Sequence, residues 1–137
     1  MTSRIVVLVG IPGSGKSTLA SSKYPDYVRV NLDTIRSRYR EDIEISNALT
    51  NDKDVVIDNT NTTKKSRRRY IELARAFGLQ IHAVYIKCPL GVALQRNSRR
   101  IGKEHVPDRA IIMYHRILQE PTLDEGFDSV AVEITSN

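Results

Sequence analysis

The stretch RIVVLVGIPGSGKST, residues 4–18, decides the fold of this 137-residue chain. Its first part is an apolar run that predicts a buried strand, and a glycine-rich loop and a helix from about Lys16 follow. Residues 10–17 match the pattern G-x-x-x-x-G-K-[ST], between a strand and a helix as that pattern requires. Glycines let backbone N–H groups converge on phosphates there, and the helix adds its positive N-terminal end. The stretch therefore predicts a phosphate-binding loop, or P-loop.

This loop predicts binding of a nucleoside triphosphate, ATP or another, together with Mg²⁺. We expect Lys16 to reach the β- and γ-phosphates and the Ser17 hydroxyl to ligate the metal. Thr18 is expected to help hold the α-phosphate. The other residues of the loop that we predict to bind nucleotide are Gly13, Ser14 and Gly15.

Composition limits the class of protein. Length allows one compact domain, over residues 1–137, and the net charge of +5 suggests an anionic partner. The single cysteine, Cys88, excludes an intrachain disulfide and a cysteine-rich zinc site. No apolar run reaches the roughly 20 residues of a membrane span, so we expect no membrane partner and a reducing, intracellular (cytoplasmic) setting. The sequence leaves the oligomeric state open between a monomer and a small homo-oligomer.

Apolar runs alternate with helical patterns along the whole chain. The expected strands are 4–9, 27–31, 54–58, 80–87 and 129–134. A helix is expected from about Lys16, helical segments over 33–49, and further helices over 63–77, 90–99 and 107–118. This alternation is typical of an α/β fold with a parallel sheet covered by helices on both faces. Right-handed crossovers then bring the carboxyl ends of the strands, and the site, to one edge.

A carboxylate and an arginine follow the second predicted strand. A kinase needs a carboxylate near the acceptor hydroxyl to orient it and take its proton, and Asp33 lies at the site edge. If a helix begins at Asp33, Arg36 shares its face and could bind an anionic part of the acceptor. The alternative is that Asp33 is a helix N-cap and Arg36 a solvated charge.

Asp58 ends the third predicted strand, in the sequence VVIDNTN over residues 55–61. A carboxylate at the end of an apolar strand beside a P-loop can hold Mg²⁺ directly or through water. The alternative is an ordinary turn, because Asp and Asn favour turns. Asp58 and Ser17 are thus the predicted metal ligands.

Two groups of cations complete the candidate residues. Arg96 and Arg100 follow the fourth strand, where P-loop kinases place a lid, and a spacing of four would put them on one helical face over the triphosphate. Residues 64–69 carry five cations within six residues, which could contact a phosphate backbone. For both groups the alternative is a solvated, charged helix face.

Taken together, these motifs resemble the 5′-kinase domain of the polynucleotide kinases, including the phage enzymes and the kinase half of the animal kinase–phosphatases. The resemblance covers nearly the whole chain in order. It rests on residues 10–18, 31–36, 58–61 and 96–100, then on Val106-Pro107, Met113-Tyr114 and residues 120–127. Analogy with nucleoside-monophosphate kinases adds the strand order 2-3-1-4-5.

The resemblance implies a role for each matching residue. Lys16 and Ser17 would bind triphosphate and metal, and Asp33 would be the general base. Arg36 would contact the phosphate just 3′ of the acceptor nucleoside. Asp58 would be an essential carboxylate of the site.

The same resemblance makes Arg100 the main lid arginine and Arg96 its neighbour. It implies transfer of a γ-phosphate to the 5′-hydroxyl of a DNA or RNA end, in nucleic acid repair or RNA processing. A kinase for a small metabolite or nucleoside is the alternative, and a nucleotide-dependent switch without an acceptor is a third hypothesis. Arg36 and the extra cations favour a polyanionic acceptor, and Asp33 argues against a switch, which needs no acceptor base.

Overall fold

The computed structural model describes residues 3–135, apart from the side chain of Lys103. Five parallel strands form one sheet in the order β2-β3-β1-β4-β5, which confirms the predicted order. The strands are β1 (Arg4–Val9), β2 (Val28–Val30), β3 (Val55–Ile57), β4 (Gln80–Lys87) and β5 (Ser129–Ile134). The bounds of β1, β4 and β5 agree with the prediction, whereas β2 and β3 are shorter at both ends.

Six helices connect or flank these strands. They are α1 (Lys16–Lys23), α2 (Leu32–Ile35), α3 (Arg38–Thr50), α4 (Lys64–Phe77), α5 (Leu90–Ser98) and α6 (Asp108–Ile117). Short 3₁₀ turns lie at Gly102–Glu104 and Leu123–Glu125. In the described residues, no helix has both the length and the apolar character needed to cross a membrane.

Helix α4 shows how local sequence sets the bounds. Thr63 caps its N-terminus by accepting a hydrogen bond from the Ser66 N–H, and the Ser66 side chain accepts one from the Thr63 N–H in return. Gly78 ends the helix in the left-handed conformation, at φ 67°, which glycine adopts without a Cβ penalty. The predicted start near Thr63 and stop at Gly78 are therefore confirmed.

The apolar side chains of the sheet alternate between two faces. One face packs against α3 and α4 through Leu49 and Tyr70, and the opposite face packs against α1 through Ala20. A third cluster, which includes the buried Cys88, joins the P-loop to α5 and α6. Helices cover both faces of the central strands as expected, but the edge strand β5 is largely exposed.

Parallel pairing puts the carboxyl ends of all the strands on one edge of the sheet. There β1 continues into the P-loop, β2 into α2, and β3 into Asp58. Because β2, β3 and β1 are neighbours, the residues that follow them come together although they are far apart in the chain. The edge that β–α alternation predicts for the site is the edge that carries these residues.

Candidate active site

The P-loop backbone depends on two glycines with positive φ. Gly13 has φ 85° and Gly15 has φ 103°, in the left-handed region that side chains disfavour. A Cβ on Gly13 would lie 2.8 Å from the carbonyl oxygen of Ala93, and one on Gly15 would lie 3.2 Å from a guanidinium nitrogen of Arg96. The loop therefore lies closely against α5. Gly15 is the N-cap of α1, so the amide groups at that helix end line the loop.

Lys16, the first residue of α1, lies inside the loop. Its Nζ donates a hydrogen bond to the carbonyl oxygen of Ile11 at 2.9 Å. Burial lowers the pKa of Lys16 from 10.5 to about 8, against the opposing attraction of Asp58 and Asp33, while the charge of Arg100 lowers it further. Charged residues that follow β3 and α5 and one in α2 thus act together on this amine.

Asp58 and Ser17 meet beside the P-loop. The Ser17 hydroxyl donates to Asp58 Oδ2 at 3.1 Å, and the Asp58 side chain is 1% exposed. A third residue, Arg29 of β2, joins them: its Nε donates to Asp58 Oδ2 at 2.7 Å and one of its Nη atoms donates to Ser17 Oγ at 3.1 Å. Sequence reasoning missed Arg29, although an arginine inside a short apolar strand just before Asn31 is a signal worth testing.

The chemistry of this group suits a divalent metal. Mg²⁺ prefers oxygen ligands and is usually held by one or two carboxylates together with phosphates of a substrate. Ser17 Oγ and Asp58 Oδ2 are such oxygens, and both already contact one cation, the Arg29 guanidinium. Because a cation already lies against these two oxygens, their chemistry fits Mg²⁺ at this place.

The segment from Asp58 to Asn61 also has a structural task. The Asn61 amide donates to the carbonyl oxygen of Leu8 at 2.8 Å, and the Asn31 amide donates to the carbonyl oxygen of Asp58 at 2.8 Å. Asn59 accepts from the backbone N–H of Leu32 at 2.8 Å. These bonds tie β3 to β1 on one side and to α2 on the other. Asn59 and Asn61 thus have a structural task, and the metal role of Asp58 stays a prediction.

The acceptor candidates Asp33 and Arg36 are exposed at the same edge. Asn31, not Asp33, caps α2, because its side chain accepts from the Thr34 N–H. The expectation that Asp33 and Arg36 share a helix face is wrong: α2 starts at Leu32 and ends before Arg36, which has φ 66°. Such a backbone is uncommon for a residue with a side chain and is found often at functional sites.

The two lid arginines, Arg96 and Arg100, also lie differently from the prediction. Arg96 lies in the last turn of α5, but α5 ends at Ser98, so Arg100 is outside the helix and the shared helical face is wrong. Both side chains are half-buried, and Arg100 donates to the carbonyl oxygen of Glu104 at 3.4 Å. Asn97 fixes the base of the lid by bonding both backbone groups of Val106, at 2.6 and 3.0 Å. Arg96 nevertheless lies beside Gly15, and the charge of Arg100 acts on Lys16, although the two arginines share no helical face.

Comparison with known proteins shows the family to which this chain belongs. The family described as AAA domain matches residues 5–48 and 43–121, which is more than half of the chain. The chain belongs to this AAA domain family. Its match includes the P-loop, Asp33, Asp58 and both lid arginines.

Proteins similar in sequence to this domain include two polynucleotide phosphatase/kinases and a seryl-tRNA kinase. A bifunctional polynucleotide phosphatase/kinase of Schizosaccharomyces pombe is 37% identical over 92% of this chain and 32% of its own length. A putative bifunctional polynucleotide phosphatase/kinase of Acanthamoeba polyphaga mimivirus is 33% identical with the same coverage. An L-seryl-tRNA(Sec) kinase of Methanococcus maripaludis is 28% identical over 90% of this chain and 56% of its own length. The resemblance to polynucleotide kinases is confirmed, and this domain spans about a third of the length of the two bifunctional relatives.

Solved structures share the fold at low identity. A sugar kinase from Janibacter superposes with a TM-score of 0.71 and 18% identity, covering 98% of this chain and 86% of its own. Kti12 of Chaetomium thermophilum, solved with ADP-AlF3, superposes with a TM-score of 0.69 and 16% identity, covering 95% and 88%. The domain thus has a P-loop kinase fold.

The basic segment 64–69 of this domain is less available than its composition suggests. Arg67 is fully buried and forms a two-pronged ion pair with Glu125 at 2.8 and 2.9 Å. Arg69 pairs with Asp42 at 2.5 Å and lies over the Tyr70 ring. Only part of this cation cluster therefore faces solvent, namely Lys64, Lys65 and Arg68. The interpretation of the whole segment as a phosphate contact is wrong for the two paired arginines.

Proposed function

We propose that this domain transfers the γ-phosphate of ATP, or of another nucleoside triphosphate, to the 5′-hydroxyl of a DNA or RNA end. The observation that carries the proposal is the convergence of the P-loop, Asp33 and Asp58 at one edge of the sheet, where both carboxylates are near enough to raise the pKa of Lys16 against the effect of burial. A switch that only hydrolyses or senses nucleotide has no need of an acceptor carboxylate such as Asp33. The bifunctional polynucleotide phosphatase/kinases support the same reaction class, because this chain matches them over most of its length.

On the donor side, the loop amides and Lys16 bind the β- and γ-phosphates. Ser17 and Asp58 hold Mg²⁺, which when bound offsets the negative charge of the phosphates. Thr18 lies next to Ser17 at the start of α1 and binds the α-phosphate. Gly13, Ser14 and Gly15 supply the backbone that surrounds the triphosphate.

On the acceptor side, Asp33 orients the 5′-hydroxyl and takes its proton. The oxygen forms a bond to the γ-phosphorus while the bond from that phosphorus to the β–γ bridging oxygen breaks. The products are a 5′-phosphate end and a nucleoside diphosphate, with the proton on Asp33. Arg36 holds the phosphate 3′ of the acceptor nucleoside, and its exposed side chain leaves room for that group.

On the lid side, Arg96 and Arg100 stabilise charge that develops on the transferred group. Arg96 already lies beside Gly15, and Arg100 acts on the same amine as the two carboxylates. Fixed cations aimed at developing charge are worth more in a site that excludes water than they are in solution. The proposed acceptor is a nucleic acid, the proposed setting is cytoplasmic, and a single domain over 1–137 stays a prediction.

A second candidate is a kinase for the hydroxyl of a small molecule or nucleoside. The L-seryl-tRNA(Sec) kinase relative and the sugar kinase structure favour it, because both share this fold without being polynucleotide kinases by name. The two candidates differ in what Arg36 does. A polynucleotide acceptor presents it with a phosphate, and a small neutral acceptor does not.

The test compares three acceptors: a nucleoside, its 3′-monophosphate and a short 5′-hydroxyl oligonucleotide. The 3′-monophosphate should exceed the nucleoside in kcat/KM by about 10- to 150-fold, the value of one charge-assisted hydrogen bond. Arg36→Ala should nearly erase that preference, whereas Arg116→Ala, which removes an exposed arginine from α6, should keep it. Equal rates for the nucleoside and its 3′-monophosphate in the wild type would overturn the polynucleotide proposal in favour of the small-molecule kinase.

The oligonucleotide should gain further through the exposed cations Lys64, Lys65 and Arg68. That gain should fall as salt rises, because phosphate contacts release counterions. Measuring each acceptor at low and moderate salt separates this contact from the one at Arg36. A gain that is independent of salt would exclude the exposed cations as the cause.

A further inference from the structure

Arg29 is the cation that directly contacts the two oxygens proposed as metal ligands. It lies in the middle of β2, and its guanidinium reaches across β3 to the P-loop. One nitrogen contacts Asp58 Oδ2 at 2.7 Å and another contacts Ser17 Oγ at 3.1 Å. Two contacts from one planar group fix its position between the two oxygens.

The two ends of this contact differ in exposure. The Asp58 side chain is 1% exposed, whereas that of Arg29 is 44% exposed. A buried carboxylate without a cation or hydrogen-bond donors is costly, and Lys16, the other nearby cation, donates instead to the carbonyl oxygen of Ile11. Arg29 therefore supplies a counter-charge to the buried carboxyl group of Asp58 while keeping an open path to solvent for its own side chain.

We propose that Arg29 couples metal binding to nucleotide binding by competing with the metal for Ser17 and Asp58. The inference rests on the metal role given to those two residues in the proposed function. A bare divalent cation must displace a guanidinium that makes two contacts, and Mg²⁺ also gives up its own water reluctantly. A bound triphosphate offers Arg29 new partners of the same charge as Asp58, and the guanidinium moves to them.

The coupling follows from this change of partner. Once the phosphates attract Arg29, the oxygens of Ser17 and Asp58 are available to the metal. By linkage, the factor by which nucleotide tightens metal binding equals the factor by which metal tightens nucleotide binding. Removing Arg29 should make both factors smaller. An arginine that merely stabilised β2 would leave both unchanged and alter only the melting temperature.

The first measurement titrates Mn²⁺ into nucleotide-free protein and follows the free Mn²⁺ signal by electron paramagnetic resonance. Arg29→Ala should bind Mn²⁺ about 10- to 150-fold more tightly than wild type, the value of the charge-assisted contact removed. Arg4→Ala is the matched control, since it removes an exposed strand arginine at the start of β1, where the strand begins rather than at the site edge. Wild-type Mn²⁺ affinity in Arg29→Ala would overturn the proposal.

The second measurement determines the affinity for a fluorescent ADP with and without Mn²⁺. The gain that Mn²⁺ gives should be large in the wild type and smaller in Arg29→Ala. Arg29→Lys, which keeps the charge but cannot span both oxygens, should fall between them, and Arg29→Gln should behave like Arg29→Ala. Should the alanine variant fail to fold, the lysine and glutamine variants give the same order, and an equal gain in both would overturn the coupling.

Asp58→Asn separates this inference from the metal assignment beneath it. If Mn²⁺ still tightens ADP binding to Asp58→Asn as in the wild type, the metal assignment fails and the coupling fails with it. If Asp58→Asn loses the gain but Arg29→Ala matches the wild type, only the coupling fails. Neither measurement uses a nucleic acid acceptor, so the identity of the acceptor is tested separately.

Discussion

The proposed donor half of the site, residues 10–18 with Asp58, is held by the fold, whereas the proposed acceptor half, Asp33 and Arg36, is open to solvent. Asp58 is buried and contacts two side chains, and the backbone of Gly10 bonds the carbonyl oxygen of Thr60 at 3.0 Å. Asp33, in the single-turn helix α2, and Arg36, just after it, are both exposed. The proposed triphosphate site is thus preorganised, whereas the proposed acceptor site is one that its ligand must complete.

This difference fits the two substrates. The same triphosphate arrives in every cycle, so a rigid loop reduces the entropy lost on binding. An acceptor end varies in sequence and shape, and an open site with one carboxylate and one cation accepts that variety. The following experiments test whether the two halves can be changed independently.

The largest effect should come from one substitution in each half. Asp33→Asn should lower turnover on an oligonucleotide by about 10²- to 10⁴-fold, because it removes the general base, while the affinity for ADP stays at the wild-type value. Lys16→Ala should abolish turnover and weaken ADP binding as well. Kinase assays and fluorescent ADP titrations measure both, with Asp26→Asn, an exposed aspartate preceding β2, as the control. Wild-type turnover in Asp33→Asn would assign the base elsewhere.

Arg100→Ala should act on the donor half in the transition state. A cation that contacts the transferred phosphoryl group can contribute about 10³-fold, so kcat should fall by more than KM for ATP rises. Arg99→Ala removes the adjacent exposed arginine and should change neither constant by a comparable factor. Steady-state kinetics with ATP varied at saturating acceptor decide the question. A change in KM alone would mean that Arg100 binds ground state and transition state equally.

The rigidity of the donor half depends on a buried ion pair beneath it. Arg67 bonds Glu125 and also the carbonyl oxygen of Asn61, which in turn bonds Leu8. Glu125→Ala leaves that guanidinium buried and unpaired, which should cost about 3–5 kcal/mol in the free energy of unfolding. Urea denaturation measures it. Asp124→Ala, one residue earlier and exposed, should cost clearly less, and equal losses would show that the buried pair has no special weight.

The smallest effect should be a pH dependence of nucleotide binding. Burial lowers the pKa of Lys16 to about 8, so above that pH the free protein loses the proton that the phosphates need. ADP affinity should then fall towards about tenfold per pH unit. Since the charge of Arg100 also lowers this pKa, Arg100→Ala should move the decline to higher pH. An unchanged position of the decline in Arg100→Ala would assign the titration to another group.

The lowered pKa of Lys16 also determines how the stability of the fold changes with pH. The folded protein binds fewer protons at Lys16 than the unfolded chain does between pH 8 and 10.5, the window between the two pKa values. Stability contributed by this group should therefore rise with pH across that window, opposite to the decline in nucleotide affinity. Thermal unfolding of wild type against Lys16→Ala over this range isolates the contribution.

Local signals in the sequence were enough for much of the fold. Continuous apolar runs predict β1 and β4 at their observed bounds, and Gly78 predicts the end of α4. The P-loop pattern predicts which strand and helix flank it. These features depend on neighbours in the chain, so a single sequence contains the information. The position of the break between the helical segments over 33–49 was not predicted, because no Gly or Pro marks Arg36, whose left-handed backbone depends on its surroundings.

The P-loop, the α/β alternation and the sheet edge that carries Lys16, Asp33 and Asp58 could all be predicted from the amino-acid sequence. Three features become visible only in the folded chain: Arg29 reaches Asp58, Arg67 is buried against Glu125, and Arg100 lies outside the helix of Arg96. Arg29 precedes Asp58 by 29 positions and Arg67 precedes Glu125 by 58. An arginine looks the same in the sequence whether its side chain is solvated, ion-paired or placed beside a metal site. Which of these it becomes depends on the charges that the fold brings within a few ångströms of it.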